Sequence, residues 1–159
     1  MSLDSLYAKP AHLIRRAHQI SWALFLDECA EFSLTPVQYA ALTAINVSGQ
    51  TDATRLSGMI AFDRSTIGSV LDRLEARGLI RRIPSLSDRR QKLLELTPEG
   101  EILLVSCEEA VMRVQNRLLG MLSREERETF LRLLTKMVLM NNEVTSAPIK
   151  ATSPLAGQG

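Results

Sequence analysis

The sequence predicts a mainly α-helical fold with one small β-hairpin. Apolar residues recur every three or four positions through most of the chain, which is the spacing of amphipathic helices. Residues 79–83 and 91–96 depart from that spacing and flank a polar, turn-rich loop, which predicts two paired strands. The charge is also uneven. From Arg55 to Lys92, nine Lys or Arg stand against four acids, an excess of +5 in a chain whose net charge is +1. Such a basic centre indicates a site for a polyanion.

Capping signals divide the helical part of the chain. Proline in a first turn, a Ser, Thr or Asp before it, and glycine after the last turn are the usual helix boundaries. The expected helices are residues 10–30 opened by Pro10, 35–47 opened by the capping box Thr35-Pro36-Val37-Gln38, 52–59 capped by Asp52 or Thr51, 63–78 capped by Asp63 and closed by Gly78, 97–122 opened by Thr97-Pro98, and 123–144 opened by Ser123.

The order of these elements is that of a winged helix-turn-helix. Two short helices, three and four, meet at a tight connection over residues 60–63, and a basic hairpin follows them. In this motif the second helix lies in the major groove of DNA. We therefore expect residues 35–97 to form a DNA-binding domain.

The first helix and the last two carry apolar stripes that no other predicted element can cover. We expect residues 10–30 and 98–145 to form a helical dimerisation region. The segment 146–159 has few apolar residues and several Pro and Gly, so we expect a disordered tail.

The fourth helix is expected to read DNA. Its apolar residues fall on one face, which leaves polar ones on the others. Arg and Ser can donate to base acceptors in the major groove, and Thr can contact a thymine methyl group. The alternative is an ordinary surface helix with scattered charges. The residues expected to contact DNA are Arg64, Ser65, Thr66, Ser69 and Arg73.

The hairpin tip is expected to be a second DNA contact. Arg89, Arg90 and Lys92 lie there, and arginine favours the negative potential of a narrow minor groove. Asp88 can hold Arg90 in one pose, or it can simply form the turn.

These segments resemble the MarR family. Asp63-Arg64-Ser65-Thr66 followed by Leu74-Glu75-Ala76-Arg77-Gly78-Leu79-Ile80-Arg81-Arg82 is similar to that family's recognition helix and first wing strand. Asp88-Arg89-Arg90 with Leu96-Thr97-Pro98-Glu99-Gly100 is similar to its wing signature. The resemblance covers roughly residues 10–145. It implies a homodimer joined through the first, fifth and sixth helices, recognition helices in the major grooves of a pseudopalindromic operator, Arg90 in the minor groove and Asp88 as its orienting partner.

The resemblance also raises the question of what the protein senses. Members of this family are usually released from DNA by small phenolic or carboxylic ligands, or by thiol oxidation. The reactive cysteine of the oxidation branch would fall at Ser21, which cannot form a sulfenate. We expect Cys29 and Cys107 to be buried structural residues, which disfavours a thiol-redox sensor.

A ligand site is expected on the first helix. Arg15, His18 and Trp22 share one face, and together they can pair with and stack on an aromatic carboxylate. Tyr39 on the second helix is a further candidate. The alternative is that Trp22 and His18 pack at the dimer interface. The run from Arg15 to Ile20 is also similar to the start of this helix in hydroxynicotinate-responsive repressors.

Other classes of protein fit less well. No cluster of metal ligands, phosphate-binding loop or nucleophile motif is present, so we expect no enzyme, no cofactor and no metal site. We expect no secretion signal or membrane span, and hence a cytoplasmic protein. A winged helix used only for protein contacts would have a neutral wing. A constitutive, architectural DNA-binding protein without an effector remains the main alternative, and it would show little sequence preference.

Overall fold

A computed structural model describes residues 3–85, 91–145 and 147–149. The fold is mainly helical with a small antiparallel sheet, which confirms the predicted class. The elements are α1 (Leu3–Tyr7), α2 (Pro10–Glu28), a 3-10 turn (Ala30–Phe32), α3 (Pro36–Ser48), β1 (Thr51–Asp52), α4 (Ala53–Met59), α5 (Arg64–Ala76), β2 (Ile80–Pro84), β3 (Lys92–Leu96), α6 (Pro98–Ser106), α7 (Glu108–Leu119), α8 (Arg124–Met140) and a second 3-10 turn (Asn142–Val144).

The predicted caps form as hydrogen bonds. The Gln38 backbone N–H donates to Thr35 Oγ1 at 3.3 Å, and the Thr35 N–H donates to Gln38 Oε1 at 2.9 Å. Ser123 and Glu126 form the same reciprocal pair at the start of α8. The Asp52 carboxylate accepts from the first backbone N–H groups of α4. Each cap satisfies donors that have no partner within the helix, so local sequence fixes where these helices begin.

The sheet has three strands, whereas the sequence predicted a two-stranded hairpin. β2 and β3 pair as expected, and β1 adds to the other edge of β3 to give the order β1-β3-β2. Thr51 lies opposite Leu94 in this added pair. A strand of two residues shows no alternation of apolar and polar positions, so the pattern could not reveal it. Its effect is to join β3, at Leu93 and Leu94, to the start of α4.

The core lies between α3, α5 and the sheet. Leu42 and Ile45 of α3 are fully buried. They pack in one cluster with the apolar stripe of α5, which we define as Ile67, Val70, Leu71 and Leu74. The stripe is the face that the sequence predicted to point inward. It fixes the rotation of α5 about its own axis, because burial of one face of a helix exposes the opposite one.

The predicted helix 97–122 is divided at Cys107 into α6 and α7. The Cys107 thiol donates to the Leu103 carbonyl oxygen at 2.9 Å, and the Ser106 hydroxyl donates to the Ile102 carbonyl oxygen at 2.8 Å. Side-chain bonds to carbonyls four residues earlier bend helices. Two consecutive bonds of this kind give a physical reason for the break.

Helix α8 leaves its apolar side chains exposed in the single chain. None of its residues is buried, and α2 likewise exposes Leu13, Ile14 and Ile20. The exposed large apolar residues of α8 are Phe130, Leu131, Leu133, Leu134, Met137, Val138 and Met140. Exposed apolar residues in such number on one helix are typical of a surface that a partner covers. No helix among the described residues is long and apolar enough to cross a membrane.

The predicted tail begins after the second 3-10 turn. Within it the structure describes residues 147–149, where the Ile149 backbone N–H and carbonyl bond to the side-chain amide of Asn142 at 2.8 and 3.0 Å. Residues 146 and 150–159 lie outside the described part. Disorder of the tail therefore stays a prediction.

Gly100 and Gly68 make a matched pair of tests of the packing. A Cβ at Gly100 would overlap the Leu79 carbonyl oxygen, which is held in place by the Thr97 N–H at 3.1 Å. A Cβ at Gly68 would meet nothing within 4 Å. We expect G100A to lower the free energy of unfolding by about 1–3 kcal/mol and G68A to raise it by roughly 0.5–1 kcal/mol. Urea unfolding of both variants measures this. Equal stability of G100A and the parent would contradict the close packing of α6 against the Leu79 backbone.

Candidate nucleic-acid interface

Helices α4 and α5 meet at a sharp turn. Ala61 has a left-handed backbone with φ of 51°, and the Phe62 N–H donates to the Ser57 carbonyl oxygen at 3.0 Å. Asp63 then caps α5, since it accepts from both the hydroxyl and the backbone N–H of Ser65. These bonds lower the pKa of Asp63, with the Ser65 hydroxyl as the largest cause. The carboxylate is therefore held charged at the start of α5, where it stabilises the helix.

The face of α5 opposite the apolar stripe is exposed and polar. We call Ser65, Thr66, Ser69 and Arg73 the reading face, and all four are exposed. The side chain of Arg64, also predicted to contact DNA, lies outside the described part. The open space at Gly68 leaves the α5 backbone accessible between Thr66 and Ser69. A helix with one buried apolar face and one exposed donor-rich face is what a DNA groove can accept.

Two hydroxyls of the reading face already donate hydrogen bonds within the chain. Ser69 Oγ donates to the Thr66 carbonyl oxygen at 2.9 Å, and Ser65 Oγ donates to Asp63. In this conformation each hydroxyl presents lone pairs outward. Each hydroxyl oxygen can therefore accept a hydrogen bond from a donor on DNA, such as the amino group of adenine or cytosine, without breaking its bond within the chain.

The described cations of the basic centre fall into two groups, those whose side chains bond to acceptors among the described residues and those whose side chains do not. Arg77, Arg81 and Arg82 each bond to acceptors of the same chain. Arg55, Arg73 and Lys92 are exposed and have no ion pair within the part of the chain that the structure describes. The charge count from the sequence treated all of these cations alike. Among the described residues, fewer cations are thus available to bind a polyanion than the nine counted between Arg55 and Lys92.

Sequence reasoning missed the contacts that hold the wing. Arg82 of β2 pairs with Asp72 at 2.7 Å and with Glu75, both on α5. Directly before β3, on the loop side of the hairpin, Gln91 Nε2 donates to Asp52 Oδ2 at 3.0 Å. Asp72 and Glu75 are three apart on one helix face, which was a signal for a shared cation. The strand position opposite them could not be read from the sequence.

The predicted tip residues Asp88, Arg89 and Arg90 lie outside the described residues. Lys92, the fourth basic or orienting residue predicted for the wing, is the first residue of β3 and is exposed. On the neighbouring β2 strand, Arg81 pairs with Glu95, which also accepts from Gln50 at 3.0 Å. These bonds, with Gln50 as the largest cause, lower the pKa of Glu95.

The predicted ligand residues are partly brought together. Arg15 and His18 are exposed on α2, and the rings of His18 and Trp22 lie 6.0 Å apart between centroids. Tyr39 of α3 is half-buried, with its ring centroid 5.9 Å from that of Phe25. The cavities described in the single chain lie elsewhere. One of about 420 Å³ lies between Ala61 and the end of α8.

Helix α2 is tied to α7 by ion pairs. Glu28 accepts from Arg113 and Arg117, each at 2.7 Å, and Arg117 also bonds to Asp27. These contacts, first that with Arg113, lower the pKa of Glu28. The pairs hold the end of α2 against the helix that follows the break at Cys107.

Both cysteines are buried, as the sequence predicted. Cys29 and Cys107 are each 0% exposed. Burial raises the pKa of both thiols, and it is the largest cause in each case. A neutral, inaccessible thiol is a poor nucleophile toward peroxide. Ser21, at the position of the reactive cysteine in the oxidation branch, is half-buried on α2.

The chain belongs to the MarR family. Residues 34–92 match the MarR family model. The HTH-type transcriptional repressor NicR of Pseudomonas putida is 33% identical over 127 residues, which cover 80% of each chain. The matched segment includes all of α3, α4, α5 and β2. The protein is therefore a winged-helix transcriptional regulator, and its relatives are regulators rather than enzymes.

Two solved structures extend the likeness to the helices outside the winged domain. The transcriptional repressor CouR, bound to a 23-mer DNA duplex, is similar with a TM-score of 0.81 and 29% identity, covering 87% of this chain and 98% of that one. Bordetella bronchiseptica BpsR, whose DNA binding is regulated by 6-hydroxynicotinic acid, is similar with a TM-score of 0.78 and 31% identity, covering 82% and 93%.

The buried thiols make a chemical prediction. At neutral pH the folded protein should react with a disulfide reagent far more slowly than the unfolded protein does, because both thiols are inaccessible and protonated. The raised pKa of the two thiols also makes the stability of the fold depend on pH. Above the pH at which free thiols ionise, only the unfolded chain loses these protons, so stability falls as pH rises. Timed thiol labelling with and without guanidinium measures the first effect. Fast labelling of the folded protein would contradict the burial.

Proposed function

We propose that this chain is a dimeric, operator-specific repressor whose binding to DNA is weakened by a small aromatic or heteroaromatic acid. The observation that carries the DNA-binding part is the orientation of α5. Its apolar stripe is buried and its reading face is exposed on the same helix that the MarR family model matches. The DNA-bound state of CouR supports the same role.

On this proposal residues 35–97 bind DNA. The N-terminal half of the reading face, with Arg64, meets base edges, since base contacts come from the start of a recognition helix. Arg73, in the last turn of α5, meets a phosphate. Arg89 and Arg90 enter the flanking minor groove, Asp88 orients Arg90, and Lys92 adds a backbone contact.

Residues 10–30 and 98–145 are proposed to dimerise. The support is the apolar surface that α2 and α8 leave exposed in the single chain. A second chain that covers this surface would remove it from water. It would also place two copies of α5 on one duplex, and a pseudopalindromic operator is the sequence that such a pair would read.

Arg73 and Arg81 form a matched test of the DNA contacts. Both are exposed arginines of the basic centre, but Arg81 is paired with Glu95 and Arg73 has no ion pair among the described residues. We expect R73A to weaken operator binding and to reduce the slope of log affinity against log salt by about 1 per chain, whereas R81A leaves the slope nearly unchanged. The duplex is one selected by the parent protein from random sequence. An unchanged slope in R73A would contradict the phosphate contact.

The same titration also tests the alternative that the protein is an architectural DNA-binding protein. An architectural protein binds random and selected duplexes almost equally, while a specific regulator prefers its site by about 10³-fold or more. A ratio near one would overturn the proposal of a specific repressor.

The effector part is supported by chemistry on α2 and by one relative. Arg15 supplies a cation, and the neighbouring rings of His18 and Trp22 supply stacking surface. Tyr39 is the proposed contribution of α3. BpsR responds to 6-hydroxynicotinic acid, a heteroaromatic carboxylate of the class that these residues suit.

Arg15 and Arg16 allow a controlled test of this effector. Both are exposed on α2, and Arg16 donates to Gln19 at 2.9 Å rather than sharing the face of Trp22. We expect 6-hydroxynicotinic acid to weaken operator binding of the parent and of R16A by roughly 5–150-fold. R15A should need about tenfold more acid for the same effect, from loss of a charge-assisted bond.

The neutral amide of the same acid serves as the ligand control and should have little effect. A panel of aromatic acids that leaves operator affinity unchanged would overturn the effector proposal. If R15A and R16A respond equally to the acid, Arg15 is not part of the ligand site.

A further inference from the structure

The end of the recognition helix is bonded, through one side chain, to the 3-10 turn that follows α2. Arg77 lies directly after α5, where its own backbone N–H closes the helix. Its guanidinium reaches back across the sequence, and NH1 donates to the Ser33 carbonyl oxygen at 2.7 Å while NH2 donates to the Phe32 carbonyl oxygen at 2.9 Å. One planar group thus bonds two consecutive carbonyls.

The two acceptors suit a guanidinium. Phe32 ends the 3-10 turn that follows α2, and Ser33 has a left-handed backbone with φ of 50°. Carbonyls at a helical terminus lack intrahelical donors and carry partial negative charge, so they favour a cation. Two donors in a fixed planar fork match two acceptors at a fixed spacing, whereas the three donors of an ammonium group rotate freely and hold no such geometry.

The segment that provides these carbonyls is anchored on both sides. Cys29 before it and Leu34 after it are buried in the core. Helix α2 itself is held to α7 by Glu28. Cys29 is both the C-cap of α2 and the N-cap of the 3-10 turn, so a displacement of this end of α2 would be passed on to the carbonyls of Phe32 and Ser33.

On its other side α5 is tied to the wing. Arg82 holds β2 to Asp72 and Glu75, so wing and recognition helix are joined by ion pairs. Helix α5 packs on α3, α4 and β2. Within the described residues, Arg77 supplies the side-chain hydrogen bonds that connect the end of α5 to the 3-10 turn after α2.

We propose that Arg77 is a positioning residue that couples α2 to the recognition helix. Through it, a change in α2 alters the placement of the reading face, and DNA binding alters α2 in return. The inference rests on the proposed function in taking α5 as the DNA-reading helix and α2 as the effector-bearing one. It deepens that function by naming the residue through which the regulation passes.

Trp22 gives a readout that needs no effector. It is the one tryptophan of the chain and lies on α2. Coupling is reciprocal, so if effector binding at α2 changes DNA affinity, DNA binding must change effector affinity by the same factor. On this proposal the change arises at α2, where Trp22 can report it. The experiment records Trp22 emission of the full-length parent, R77A, R77K and R81A at saturation with the selected duplex. R81A is the matched control because it removes one exposed arginine of the same basic centre.

The expected result separates Arg77 from Arg81. The parent and R81A change Trp22 emission on binding the duplex, and R77A does not. R77A also loses about tenfold in affinity for the selected duplex but less than about twofold for a random one, since its role is placement rather than phosphate binding. R77K keeps the charge with one donor group and falls between R77A and the parent.

The contradicting results are equally distinct. An emission change in R77A as large as in the parent, or none in the parent, would overturn the proposal. If R77A fails to fold by circular dichroism, R77K is decisive, and a full parental change in it would overturn the proposal. A parent that ignores 6-hydroxynicotinic acid but passes the Trp22 comparison would refute the effector and leave the coupling supported.

Discussion

The apolar stripe of α5 packs into the core beside α3, and most of the functional geometry depends on that packing. A helix whose one face is buried cannot rotate, so burial of the stripe determines that the reading face points outward. The Asp63 cap fixes where the helix begins, and Gly78, with φ of 70°, ends it in a left-handed turn into β2. Recognition helix and wing therefore have one relative placement.

Contacts of arginine side chains refine this arrangement instead of creating it. Arg82 joins the wing to α5 through ion pairs, and Arg77 joins the end of α5 to the 3-10 turn after α2 through hydrogen bonds to backbone carbonyls, so two arginines of the basic centre act inside the protein. Exposed pairs of this kind contribute little to global stability. Their value is geometric, because they relate three elements whose mutual placement determines whether two grooves can be contacted at once.

Much of this fold could be predicted from sequence because its signals are local. The capping box at Thr35, the caps at Asp52 and Asp63 and the inward stripe depend on residues within one or two turns. The strand β1, the break at Cys107 and the arginine partners could not be predicted. They depend on two-residue pairing, on a thiol bonding to a carbonyl, and on contacts between distant segments. The charge count overstated the free cations for the same reason.

On the proposed function, two copies of α5 read one operator from a dimer whose contacts use α2 and α8. Hydroxyl-radical footprinting of the parent protein on its selected duplex tests this arrangement. We expect two protected patches related by a twofold axis, with centres about one helical turn apart, and protection of the flanking minor grooves. A single protected patch, or uniform protection along the duplex, would contradict it.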